Sequence, residues 1–153
     1  MNDKLTIRPA HEADLPAMVA MLADDPLGAA RESPDDLTPY LTAYRRIAGD
    51  PHQHLVVAVA PGTDRVIGTL QLTVIPGLSR RGATRTLIEA VRIHADARGS
   101  GLGTTLIEWA VEQSRTLGAE LVQLTSDATR TDAHRFYERL GFSASHVGFK
   151  LVL

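Results

Sequence analysis

The chain has 153 residues, 16 Lys and Arg against 18 Asp and Glu, a net charge of −2 and an apolar fraction of 44%. That length and composition fit a single domain, residues 1–153, with one core, and the interspersed charges leave no basic footprint for nucleic acid. With no cysteine, disulfides, thiolate metal sites and a cysteine acyl-enzyme are excluded. No stretch approaches the ~20 apolar residues of a membrane span, and Met1-Asn2-Asp3-Lys4-Leu5 has no apolar signal core, so the expectation is a cytoplasmic protein.

In chain order, Leu5 to Pro9 reads as a short strand stopped by proline, and Leu15, Met18, Val19 and Leu22 follow at helical spacing. Asp24-Asp25-Pro26-Leu27-Gly28 is turn chemistry, the stretch to Pro39 is polar and irregular, and Leu41, Tyr44 and Ile47 suggest a second helix. This half carries no catalytic motif. Leu55–Ala60, Val66–Ile75 and Thr84–His94 read as an antiparallel meander turned at Pro61-Gly62-Thr63-Asp64 and at Pro76-Gly77. A helix begins near Leu102 with Leu106, Ala110 and Leu117 along one side and Gly118 as its stop. Leu121 to Thr125 is another strand, Ala133, Phe136, Tyr137 and Leu140 form a helical stripe ended by Gly141, and Val147–Leu153 is expected to close as a strand. The expected fold is α/β with a mixed sheet, in the order βααβββαβαβ.

Between the fourth strand and the following helix lies Arg98-Gly99-Ser100-Gly101-Leu102-Gly103-Thr104. Three glycines let backbone N–H groups approach a ligand closely at a helix N-terminus, and the natural guest is a phosphate. A Walker loop would need lysine after its last glycine, where Thr104 stands. A dinucleotide fingerprint would need a third glycine where Thr104 falls, counting from Gly99 and Gly101. Ser100 lacks the frame of a nucleophile elbow, because Arg98 occupies the first glycine position. The six histidines show no paired spacing with a carboxylate, so no metal is expected.

Arg98-x-x-Gly101-x-Gly103, after the strand Ile88-Glu89-Ala90-Val91-Arg92-Ile93, resembles the acyl-CoA motif of the GCN5-related N-acetyltransferases, and Ala133-His134-Arg135-Phe136-Tyr137-Glu138-Arg139-Leu140-Gly141-Phe142 resembles that family's second signature. The likeness covers nearly the whole chain in element order. Asp132 to Leu151 also resembles the aminoalkylphosphonate branch of the family. The resemblance implies acetyl-CoA as co-substrate, its pyrophosphate on the N–H groups from Arg98 to Thr104 and its pantetheine arm along Val91 and Ile93. A backbone N–H near Val91 would hold the thioester oxygen as it becomes negative.

The same resemblance implies Glu89 as base and Tyr137 as the acid that protonates the departing thiolate. A bland alternative stands beside each: Glu89 could order its strand or pair with an arginine, and Tyr137 lies on a stripe that alone would make it a core residue. Arg31, Arg81 and His146 are candidate acceptor contacts, Arg81 within a group that includes Arg80 and Arg85. Many family members carry asparagine where this chain has Arg130. The activity expected is direct transfer of acetyl to a primary amine of a small molecule. The alternatives are a non-catalytic acyl-CoA-binding or regulatory module and a protein or peptide N-terminal acetyltransferase. Homodimers are common in the family, although no sequence feature establishes one here.

Overall fold

A computed structural model describes residues 4–153; Met1, Asn2 and Asp3, read above for a signal core, lie outside them. The chain divides into two compact units, one running to Gln123 and one from Leu124 to Leu153.

In the first unit, strand β1 (Thr6–Pro9) leads through a short 3-10 turn into helix α1 (Leu15–Ala23), the one-turn α2 (Gly28–Arg31) and α3 (Thr38–Ala48). Strands β2 (Gln53–Val59), β3 (Val66–Pro76) and β4 (Thr84–Ile93) follow, with the single turn α4 (Ser79–Gly82) at the tip of the last hairpin. Helix α5 (Leu102–Thr116) then leads to β5 (Leu121–Leu124). The sheet order is β1-β2-β3-β4-β5, and each pair from β1 to β4 is antiparallel. Within this unit the expected strands and long helices are therefore present to within a few residues, with α2 and α4 as additional single turns.

Alternation along β2 and β3 sends side chains to two faces. Val57, Val59 and Val66 join Leu15, Met18 and Met21 of α1 in one buried cluster, against which Leu41 and Tyr44 of α3 pack. Tyr44 also fixes α3 by donating its hydroxyl to Ala10 O at 3.1 Å. On the other face α5 lies against β3 and β4, burying Leu102, Leu106, Ile107 and Ala110. Gly68 is what allows this approach. A Cβ there would stand 3.0 Å from Leu106 Cδ1 and 3.4 Å from Leu102 Cδ2, so the missing side chain seats the first turn of α5 on the sheet.

In the second unit, helix α6 (Thr131–Arg139) is the last regular element. It follows a loop in which Asp127 Oδ1 accepts from the Thr129 N–H at 2.9 Å and its hydroxyl at 2.6 Å. Gly141, at φ 94°, ends it as expected. The strand expected over Val147–Leu153 is not formed, and residues 142–153 have no regular structure. Alternating apolar residues supply one face of a strand. They do not supply the neighbour whose N–H and C=O groups a strand requires, and Val147, Phe149 and Leu151 remain exposed.

Candidate active site

Strand β4 changes character along its length. Thr86 and Ile88 are buried, Glu89 and Ala90 are exposed, and Val91 to Ile93 are half-buried. The change coincides with a break in register. Gln71 of β3 faces Glu89 and Thr69 faces Arg92, so Ala90 and Val91 together oppose Leu70. This is a β-bulge, which takes one residue out of the hydrogen-bond ladder and re-aims its neighbours. Ala90 accommodates it at φ 52°, a left-handed conformation that costs an L-residue about 1–3 kcal/mol. The sequence carries a faint signal of it, because charged positions on β4 are four apart from Arg85 to Glu89 but three apart from Glu89 to Arg92.

Past the bulge, the turn after α1 is tied to the strand. Arg92 Nη1 donates to Val91 O at 2.8 Å, and its Nε lies 3.2 Å from Asp25 Oδ2. Asp25 Oδ1 accepts the Gly28 N–H at 2.5 Å. That backbone hydrogen bond, with the Arg92 charge, holds the Asp25 carboxyl below its ordinary range against the opposing effect of burial. Arg98 makes a parallel tie, donating to Ile93 O at 3.3 Å and to Asp24 Oδ2 at 3.2 Å. Its guanidinium is thus engaged in holding the loop to the Asp24–Asp25 turn. The turn chemistry of Asp24 and Asp25 was legible in the sequence; their role as anchors was not.

The glycine loop has the conformation its composition implies. Gly99 is at φ 74° and Gly101 at φ 84°, with no atom within 4 Å of where a Cβ would project at either. Gly101 is the N-cap of α5. The first helical hydrogen bond runs from the Thr105 N–H to Gly101 O at 3.1 Å, so the N–H groups of Leu102, Gly103 and Thr104 precede the ladder. They form the positive end of a 15-residue helix, which favours an anion by about 0.3–1 kcal/mol when exposed. Ser100 turns its hydroxyl inward to Ala97 O at 2.5 Å. Leu102 sends its side chain into the core, leaving only its backbone at the loop.

The remaining candidates are distributed as follows. Glu89 has no ion pair among the described residues, so the alternative that it pairs with an arginine finds no contact there. Arg31 ends α2 and is exposed. Arg81 lies in the α4 turn at φ 61°, next to Arg80 at φ 52°. In the second unit, Tyr137 is half-buried in α6 with its ring 5.2 Å from Phe136 and 6.0 Å from Phe142, both edge-on, and His146 Nδ1 lies 2.7 Å from the Ser145 hydroxyl. Arg130 stands at the N-cap of α6 without a side-chain cap. Among the described residues no three His, Asp or Glu are grouped to hold a metal, and no helix is long and apolar enough to cross a membrane.

Comparison with known proteins shows the family to which this fold belongs. An aminoalkylphosphonate N-acetyltransferase of Salmonella typhimurium is 36% identical over 104 residues, covering 68% of this chain and 66% of that protein. A glucosamine 6-phosphate N-acetyltransferase of Trypanosoma brucei brucei is 36% identical over 91 residues, 60% of each chain. The matches thus span somewhat less than two thirds of these curated relatives. A crystal structure described as a transcriptional regulator from Bacillus halodurans C-125 superposes with a TM-score of 0.92 at 45% identity, covering 98% of this chain and all of that one. The profile of the acetyltransferase (GNAT) family matches residues 15–142, from the start of α1 to just past α6, and the chain therefore belongs to that family.

Proposed function

We propose that the protein is an N-acetyltransferase, one domain over residues 1–153, that moves acetyl from acetyl-CoA to a primary amine of a small molecule in a ternary complex. The observation that carries this is the β4 bulge followed by the glycine loop: one connection offers a backbone donor released at Ala90–Val91 and three more at the start of α5. In this reading the pyrophosphate rests on the N–H groups of residues 99–104 and the pantetheine arm follows Val91 and Ile93. The amine nitrogen attacks the thioester carbon, whose oxygen takes its developing charge to the bulge N–H. The C–S bond then breaks, Glu89 receives the amine proton, directly or through water, and Tyr137 protonates the thiolate.

The acceptor class is supported by the relatives, whose names pair an amine with a phosphonate or a phosphate. Arg31, Arg81 and His146 are the residues we assign to the acceptor side. A cytoplasmic location belongs to the same reading, since acetyl-CoA is an intracellular donor. So does a homodimer, supported by the exposed apolar tail residues.

Two measurements test the proposal. Calorimetry should show acetyl-CoA binding, and 2-aminoethylphosphonate, glucosamine 6-phosphate, polyamines, aminoglycosides and short peptides should be screened for coenzyme A release. Glu89→Gln and Tyr137→Phe should each lower kcat about 10²-fold or more with the acceptor that responds, within the range for a removed acid or base. Failure to bind acetyl-CoA would sink the whole reading. A second reading, a regulatory acyl-CoA-binding module, draws on the Bacillus halodurans structure described as a transcriptional regulator. It expects acetyl-CoA binding with no amine-dependent coenzyme A release.

A further inference from the structure

On the sheet face that packs against α1 and α3, β2 is apolar at Val59, Val57 and Leu55, and then changes to Gln53. Its neighbours there change with it. Gln71 and Thr73 of β3 face Leu55 and Gln53, and Glu89 of β4 faces Gln71. Gln53, Gln71 and Thr73 are half-buried, and a half-buried polar cluster offers the fold little that apolar side chains would not.

The cluster is ordered internally. Gln53 Oε1 accepts from Gln71 Nε2 at 2.8 Å and from Thr73 Oγ1 at 2.9 Å. In this arrangement Gln71 Oε1 has no donor among the described residues. Directly opposed antiparallel residues have Cβ atoms about 4.5–5.5 Å apart, so the Gln71 and Glu89 side chains leave the same sheet face as cross-strand neighbours.

We infer that Gln71 Oε1 and the Glu89 carboxylate together bracket the attacking nitrogen, each taking one N–H, and that this pair makes the enzyme selective for primary over secondary amines. The inference rests on Glu89 receiving the amine proton as proposed above. A neutral primary amine has two N–H groups and can satisfy both oxygens while its lone pair points away from them. A secondary amine has one, and leaves an acceptor unmet. Gln71 touches the substrate; Gln53 is a positioning residue that acts through it. The acceptor's remaining groups are free to vary, since the selection is made at the nitrogen.

The test compares 2-aminoethylphosphonate with its N-methyl derivative, or glucosamine 6-phosphate with its N-methyl derivative if the screen favours the sugar. Wild type should favour the primary amine at least 100-fold in kcat/KM. Gln71→Leu should lower kcat/KM for the primary amine 10- to 100-fold, mostly through KM, and compress the preference below 10-fold while acetyl-CoA affinity stays within twofold. Gln53→Met, whose thioether is only a weak acceptor, should follow Gln71→Leu, whereas Gln53→Glu keeps the accepting oxygen and should keep the preference. Calorimetric binding of the primary amine to the coenzyme A-loaded protein should weaken in the same two variants. An unchanged primary-to-secondary preference in Gln71→Leu, or equal behaviour of Gln53→Met and Gln53→Glu, overturns the inference while leaving acetyl transfer intact. Acetyl-CoA binding without coenzyme A release to any amine overturns the reading beneath it and this inference with it.

Discussion

Ala90 is the residue on which the candidate site turns. It occupies a left-handed conformation in the middle of a strand, where glycine would be the unstrained choice. Replacing it by glycine should raise the unfolding free energy by about 0.5–1 kcal/mol, the relieved strain less the added chain entropy. Ala90→Val should lower it, because branching at Cβ is poorly tolerated at positive φ. Urea midpoints at constant m-value check both. A glycine variant no more stable than wild type would mean that the bulge carries no strain. From the sequence alone, Glu89 and Val91 were identifiable through the motif around them. The bulge that separates the two positions was not, since it appears only as one irregular spacing of charged residues.

At the scale of elements, the glycine loop and the first turn of α5 act as one piece, seated on β3 through Gly68. Gly101→Ala meets no neighbouring atom, so its cost should come from backbone conformation alone, about 1–2 kcal/mol. Because Gly101 sets the direction of the first N–H groups of α5, acetyl-CoA affinity should fall about tenfold or more by calorimetry. Gly68→Val works differently. Its side chain would meet Leu106 and Leu102, and overpacking of this kind costs about 1–3 kcal/mol, seen as a lower Tm. The loop and the helix were legible because glycine spacing and apolar periodicity are local properties of the chain. The two ties that hold the loop, Arg98 to Asp24 and Arg92 to Asp25, join segments more than sixty residues apart, and nothing local announces them.

For the molecule as a whole, acid is the condition that should loosen it first. Asp14 is 9% exposed at its side chain and forms two hydrogen bonds with Arg8, at 2.7 and 3.0 Å. Burial is the largest single influence on it and acts upward. The hydrogen bonds from Arg8 and the His11 N–H, with the charge of Arg8, outweigh it and hold the carboxyl below its ordinary value. Asp25 is lowered as well. A carboxyl depressed in the folded state binds fewer protons there than in the unfolded chain, so its contribution is complete above the ordinary carboxylate range, about pH 4–5. It is lost as pH falls through the depressed value. Asp14→Asn should therefore cost about 1.5–3 kcal/mol at neutral pH and flatten the acid limb of a stability profile measured by urea denaturation from pH 3 to 7. An acid limb as steep as wild type in that variant would remove Asp14 from the account.

The sequence by itself determined the order and type of the strands and long helices through α6, the glycine turn that opens α5 and the family, because periodicity, glycine placement and motif spacing are written along the chain. Only the tertiary structure decided which residues face each other across strands. It placed Gln71 against Glu89, put the bulge at Ala90–Val91, turned the Arg98 guanidinium to Asp24 and left Val147–Leu153 without strand pairing. Each of these depends on a partner distant in sequence, and a partner distant in sequence leaves no period in the residues that meet it.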